Sequence, residues 1–200
     1  MDQEGIVGAD GYNFFDTFPT LQIGKFRLRE LSKVDSDDYF EMMSHHLVTK
    51  YIADEDVPKT VQEAQDEIRF WQSLFHEKRT IFWGITQLLN HKLIGTVGYN
   101  YWSRSTKTAE ISYDLCYEYW GRGIMSEILR NVVKFGFDRM SLDQIEAKTV
   151  HDNIASQKVL TKIGFKLGDV LPKHRIIKSV PTDVYTYHLM RSNFTYDNVI

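Results

Sequence analysis

The tightest constraint in this chain is a pair of helix starts placed one strand apart. In YWGRGIMSE, at 119–127, Gly121 and Gly123 stand where an apolar strand passes into an amphipathic helix. In HDNIASQKVLTKIGF, at 151–165, Asn153 opens a second helix and Gly164 closes it. Glycine permits close approach to the backbone, so the first join presents bare N–H groups at a helix N-terminus, a natural seat for a phosphate or pyrophosphate. Two such starts can grip the two ends of one long ligand, which points to a nucleotide-bearing cofactor.

Periodicity supplies the elements around this pair. Residues 21–31 (LQIGKFRLREL) alternate as a strand, with Phe26 and Leu28 on one face and Arg27 and Arg29 on the other. Residues 35–46 read as a short helix with Tyr39, Met42 and Met43 as its apolar stripe, and the acidic loop 53–59 contains Pro58. Thr60 and Glu63 make a capping box for a helix running to about residue 77, whose buried face carries Ile68, Trp71, Leu74 and Phe75. Strands are expected at 80–88 and 92–102, joined by a turn at Asn90-His91, and at 108–117. A helix over 123–140 has Ile124, Ile128, Val132 and Phe135 at helical spacing. A strand at 144–150 and a helix at 154–163 follow, the helix capped by Asn153 and Gly164. Two last strands, 165–171 and 184–190, flank a basic loop with Pro172, Lys173, His174 and Arg175. The order is β-α-α-β-β-β-α-β-α-β-β, without an internal repeat or low-complexity segment.

Composition narrows the function classes. The 200 residues fit one domain with appendages, and 42% hydrophobic residues suffice for a sizeable core. A net charge of −3 gives no support to nucleic-acid binding, which calls for a basic excess or stripe. No apolar run approaches the ~20 residues that span a bilayer, and MDQEGIVGADG lacks the basic and apolar regions of a signal peptide. The lone Cys116 forms no internal disulfide, which fits a cytoplasmic protein. Residues 1–20 carry the aromatics Tyr12, Phe14, Phe15 and Phe18, and part of the segment is expected to pack on the body or on a partner subunit, so that a homodimer is compatible with the sequence. Residues 21–194 then form the main domain and 195–200 a short tail.

Several residues carry chemistry. The turn at 121–126 lacks the third glycine of a dinucleotide fingerprint, which is Ser126, and only one βαβ unit is present, so a Rossmann fold is disfavoured. Alternation along AEISYDL puts Glu110, Ser112 and Asp114 on one strand face, and a carboxylate on a central strand needs a partner or a task. Such a group can take a proton from an attacking ammonium; the plain alternative is a salt-bridged structural carboxylate. Ser156 lies one turn from Asn153 and reads either as a proton donor to a departing thiolate or as a first-turn serine bonded to backbone. The seven histidines make no metal set, since the adjacent His45 and His46 lack an i,i+4 partner. Cys116 reads as a buried structural thiol.

The element order together with these motifs resembles the GNAT superfamily of acyl-CoA N-acyltransferases, in the branch of ribosomal-protein alanine N-acetyltransferases. The likeness runs over about 21–193. The family's acetyl-CoA motif falls on Trp120, Gly121-Arg122, Gly123, Ile124 and Met125, with Trp120 and Met125 departing from its pattern. The second motif is complete in Asn153, Ser156, Lys162, Gly164 and Phe165.

The resemblance implies an α/β (α+β) fold: a mixed, mostly antiparallel sheet flanked by helices, its central strands (108–117 and 144–150) splaying to admit CoA. It implies acetyl-CoA as co-substrate, no metal, and Leu115, Tyr117, Trp120, Gly121, Arg122, Gly123, Ile124, Met125 and Asn153 as cofactor-binding residues. It further implies Glu110 and Ser156 as catalytic residues. The family's acceptor site borders the segment between the first two helices, here Asp54, Glu55 and Asp56, whose charge would favour a cationic acceptor or else simply face solvent. The function implied is acetyl transfer to a primary amine, such as a protein N-terminus, a polyamine or another small amine. The alternative is a catalytically silent acyl-CoA-binding or interaction protein working through its aromatic N-terminal segment.

Overall fold

A computed structural model describes residues 13–196. The chain runs through β1 (Leu21–Ile23), β2 (Phe26–Arg29), α1 (Ser36–Ser44), α2 (Val61–His76), β3 (Phe82–Gln87), β4 (Leu93–Ser103), β5 (Thr108–Leu115), α3 (Ile124–Arg139), β6 (Gln144–Val150), α4 (Ile154–Lys162), β7 (Lys166–Ile177) and β8 (Val180–Met190). Eight strands form one sheet in the order β1-β2-β3-β4-β5-β6-β8-β7. Every neighbouring pair is antiparallel except β5 and β6, which run parallel. The expected mixed, mostly antiparallel sheet flanked by helices is therefore present.

Both faces of the sheet are covered. Ile128, Leu129, Val132 and Val133 of α3 pack with Val97, Ile111 and Ile145 of the sheet in the largest cluster. Tyr39, Met42 and Met43 of α1 and Ala64 and Ile68 of α2 meet Leu31 and Leu93 on the other face. The described part of the aromatic N-terminal segment, residues 13–20, packs on the body. Phe14 and Phe15 are buried, their rings against Trp102 and Phe75, and Trp83 Nε1 donates to the Pro19 carbonyl at 2.7 Å. Tyr12 lies outside the described residues. No helix among the described residues is long and apolar enough to cross a membrane.

Two sequence expectations need correction. Residues 21–31 are not one strand. Gly24 adopts φ 52° and turns the chain, so that Ile23 pairs with Phe26 in a tight hairpin. The basic segment 172–175 is not a loop either. It belongs to β7, which continues to Ile177 and turns at Lys178 and Ser179, both with positive φ, into β8. The register shifts along β7, between Leu167 and Val170 and between Leu171 and Arg175, accommodate Pro172 on this edge strand.

The feature that positions the site is the divergence of β5 and β6. They pair only from Thr108↔Gln144 to Ile111↔Ala147. Beyond that, β5 follows β4 as far as Gly95↔Leu115 while β6 follows β8 as far as Val150↔Val184. The ends of the two strands thus leave backbone groups that face a gap instead of each other.

Candidate active site

Two clefts meet in this gap. One, of about 590 Å³, lies against the N-termini of α3 and α4. The other, of about 710 Å³, lies between β5, β6 and the segment joining α1 to α2. Tyr51, Tyr113, Asp114, Asn153 and Ser156 line both, and so mark the seam.

The smaller cleft is built chiefly from backbone. Gly121 and Gly123 take φ 71° and 77°, and a Cβ placed on either would meet no atom within 4 Å. The turn therefore opens outward into free space. The helix α3 leaves the N–H groups of its first turn without intrahelical acceptors, the arrangement that binds a phosphate. Of the residues expected to hold a cofactor, Leu115, Trp120, Gly121, Gly123, Ile124, Met125 and Asn153 line this cleft. Tyr117 and Arg122 do not. Tyr117 stacks on His45 at 5.0 Å, and the Arg122 guanidinium lies over the Tyr119 ring. Trp120, which replaces a polar residue of the motif, donates from Nε1 to the Leu115 carbonyl at 2.8 Å and so ties the turn to β5. Lys158 and Lys162, one turn apart on α4, add positive charge to the lining. Sequence reasoning missed this role for both, although their i,i+4 spacing beside Asn153 was readable.

Asn153 caps α4, its Oδ1 accepting from Ser156 N at 3.1 Å. The Ser156 hydroxyl is hydrogen-bonded to the Tyr113 hydroxyl at 2.9 Å. Tyr113 comes from the opposite face of β5 to Glu110 and Asp114, and it reaches Ser156 because β6 has already diverged. Burial pushes the Tyr113 phenol well above its ordinary range, so it stays protonated. Cys116 is half-buried, and burial pushes its thiol up to about 12, as fits an inert structural residue.

The larger cleft is built from side chains and is acidic. Glu55, Asp56, Glu63, Glu67, Glu110 and Asp114 line it, against Lys148 and Arg175. Glu110 does not stand alone: Lys148 Nζ lies 2.7 Å from its Oε2, and Asn100 Nδ2 donates to its Oε1 at 3.2 Å. Asn100 reaches it from a bulge in β4, where the register shifts between Tyr99 and Tyr101. The Ser112 hydroxyl donates to Asn100 Oδ1 at 2.7 Å and completes the chain. Asp114 forms no such bond among the described residues, and burial pushes its carboxyl up to about 6. Its position on both clefts makes it the carboxylate closest to the seam.

Glu67 was not anticipated. It projects from α2 and accepts from the Tyr39 hydroxyl at 2.9 Å. Burial pushes it up to about 7; the Tyr39 bond acts against this, and the Asp114 and Asp56 carboxylates add to it. A carboxylate three residues after Ala64 and four before Trp71, inside an apolar stripe, was the signal available in the sequence. The acidic triad is divided in the fold. Asp54 pairs with Lys178, and Asp56 lies 3.8 Å from Arg175. These contacts join the α1–α2 segment to the β7–β8 hairpin, where Ala53, Ile177 and Val184 also pack together. Glu55 and Asp56 line the cleft; Asp54 does not.

Comparison with known proteins agrees with this fold. The family model for the acetyltransferase (GNAT) domain matches residues 25–166. An uncharacterized N-acetyltransferase of Bacillus subtilis, YoaA, is 32% identical over 174 residues, covering 87% of this chain and 98% of that one. The ribosomal-protein-S5-alanine acetyltransferase of Vibrio fischeri superposes with a TM-score of 0.78 at 21% identity, over 88% of this chain and 99% of that one. A microcin C7 self-immunity acetyltransferase in complex with acetyl-CoA and AMP superposes with a TM-score of 0.76 at 20% identity, over 84% and 93% of the two chains.

Proposed function

Because the chain belongs to the acetyltransferase (GNAT) domain family and is an acetyltransferase, we propose that it moves an acetyl group from acetyl-CoA to a cationic primary amine by direct attack. The observation that carries this reading is the meeting of two unlike clefts at one seam, the first open at a helix N-terminus and the second acidic. Acetyl-CoA supplies the activated acyl group as a thioester. The N–H groups at the start of α3, with Lys158 and Lys162, provide for its phosphates. The unpaired edges of β5 and β6 and the amide nitrogen of Asn153 provide hydrogen bonds for an extended arm.

The acceptor arrives as an ammonium ion, and the carboxylates of the larger cleft attract it. Asp114 takes one proton and passes it to solvent. Its carboxyl, poised near 6, suits a base working around neutrality. Glu110, held by Lys148 and Asn100, fixes the polar wall along which the acceptor lies. The new C–N bond forms as the C–S bond breaks. The second nitrogen proton ends on the departing sulfur, beside the Ser156 hydroxyl. Most of the acceleration comes from holding the two reactants in register.

The test is release of free CoASH from acetyl-CoA with a panel of primary amines, with mass spectrometry of the products. Acetylated cationic amines are expected. Tight acetyl-CoA binding with no turnover on any amine or peptide N-terminus would overturn the enzymatic reading in favour of a silent binding protein.

A further inference from the structure

We infer that the outer tip of the β7–β8 hairpin is latched to the segment joining α1 to α2, and that this latch limits the breadth of the amines that reach the seam. The inference rests on the acetyl-transfer reading above and concerns the acceptor alone. The tip is a pair of strands with no third strand beside it. β8 pairs with β6 from Met190 to Val184, and His151 N donates to the Asp183 carbonyl at 3.1 Å. Past that point the pairs Arg175↔Thr182, Ile176↔Pro181 and Ile177↔Val180 carry the hairpin outward. A two-stranded hairpin is marginal in water by itself, so the tip depends on what it touches.

It touches the α1–α2 segment. Lys178 Nζ lies 2.5 Å from Asp54 Oδ1, and Arg175 Nη1 lies 3.8 Å from Asp56 Oδ2. Ile177 and Val184 pack with Ala53 and Val150, with Tyr51 against them, in a small cluster separate from the two cores that cover the sheet. Both sides of this contact line the larger cleft: Tyr51, Ile52 and Val57 from the segment, Arg175 and Val184 from the hairpin. Tyr51 also lines the smaller cleft, so the contact stands beside the seam. All four charged side chains are about half exposed, and ion pairs of that kind hold weakly and are screened by salt. The contact can therefore part locally without disturbing either core. Parting moves the hairpin wall of the cleft away from the segment wall.

The experiment compares kcat/KM for an unbranched alkylamine and for a bulky ring-bearing amine, each with one positive charge. Wild type, Lys178→Gln, Lys178→Asp and the charge-swapped pair Asp54→Lys/Lys178→Asp are assayed. Equal charge cancels the general attraction of the acidic cleft, so the ratio of the two values reads breadth. Lys178→Gln should shift that ratio toward the bulky amine by about 2- to 5-fold, the range for a half-exposed pair, with the unbranched amine little changed. Lys178→Asp, which sets two carboxylates against each other, should shift it further, and the swap should return it toward wild type. Added salt should move the wild-type ratio in the same direction, and move it more than that of Lys178→Gln. Hydrogen exchange at the backbone amides of the tip should quicken in the same order. A ratio that stays fixed in every variant, or tip amides whose exchange does not change, would overturn the inference. Failure of the acetyl-transfer reading would look different: no turnover with either amine in any variant. That would remove the limit on breadth with it, while tip exchange would still read the latch.

Discussion

The two clefts that meet at Tyr113 are made of different material. The smaller one is shaped by backbone: two glycines in left-handed conformations, a helix N-terminus and the edges of diverging strands. The larger one is shaped by charge, with carboxylates drawn from α2, β5 and the segment joining α1 to α2. A backbone-built cleft suits what all CoA thioesters share, if acetyl-CoA binds there as proposed. A side-chain-built cleft can change its ligand by changing a few residues. On the proposed reading, common chemistry and acceptor choice are encoded in separate layers of this fold, and variants can separate them.

The largest effect is expected at the turn of α3. Gly123→Glu places a carboxylate where phosphate should sit and forces a left-handed backbone on a residue with a Cβ, at a cost of about 1–2 kcal/mol. Acetyl-CoA affinity should fall by about 100-fold or more through charge repulsion and blockage. Calorimetric titration checks this, and unchanged affinity would remove the smaller cleft from the account.

Next come the β5 carboxylates. Asp114→Asn should lower kcat by about 10²–10⁴-fold, the range for loss of a general base, and leave acetyl-CoA affinity intact. Glu110→Gln removes the ion-pair partner of Lys148 and should cost less, roughly tenfold, mainly in acceptor KM. The reverse ranking would make Glu110 the base, as the family resemblance implies.

The smallest effect is on stability. Glu67 has a raised pKa in the fold, about 7, so the folded state binds a proton that the unfolded state has released. Stability is then greater at low pH and declines as pH rises between the unfolded value and about 7. Glu67→Gln keeps the acceptor for Tyr39 and removes the buried charge. It should raise stability by about 1–3 kcal/mol at mildly alkaline pH and by nothing near pH 5, measured by urea unfolding at both pH values. A destabilised variant at alkaline pH would show that Glu67 has an unrecognised cationic partner.

The same division explains what the sequence disclosed. The backbone-built cleft was readable because its requirements are local: glycines at a strand–helix join, Asn153 at a helix start, a strand at 144–150 found as Gln144–Val150. The first hairpin was concealed by apparent alternation. Ile23 and Phe26 are three residues apart yet both buried, a change of parity that marks the turn at Gly24. The outer half of the β7–β8 hairpin was read as a loop because Lys178-Ser179 is not a customary left-handed turn pair and because prolines discourage a strand. The side-chain-built cleft was read least well, since its contacts join distant segments. Asp54 meets Lys178 across 124 residues, and Asp114 gathers its environment from both clefts. Glu110 could be assigned a face, but not its lysine.

The central claim is that one seam joins a cofactor cleft to an acceptor cleft with Asp114 as the base. Single-turnover acetyl transfer from preloaded acetyl-CoA to a simple alkylamine, followed from about pH 5 to pH 9 in wild type and Asp114→Asn, tests it most directly. The account predicts a wild-type rate that falls as pH drops through about 6, where Asp114 protonates. The variant should be slow throughout and lack that limb. An Asp114→Asn profile that retains both the wild-type rate and its acidic limb would contradict it.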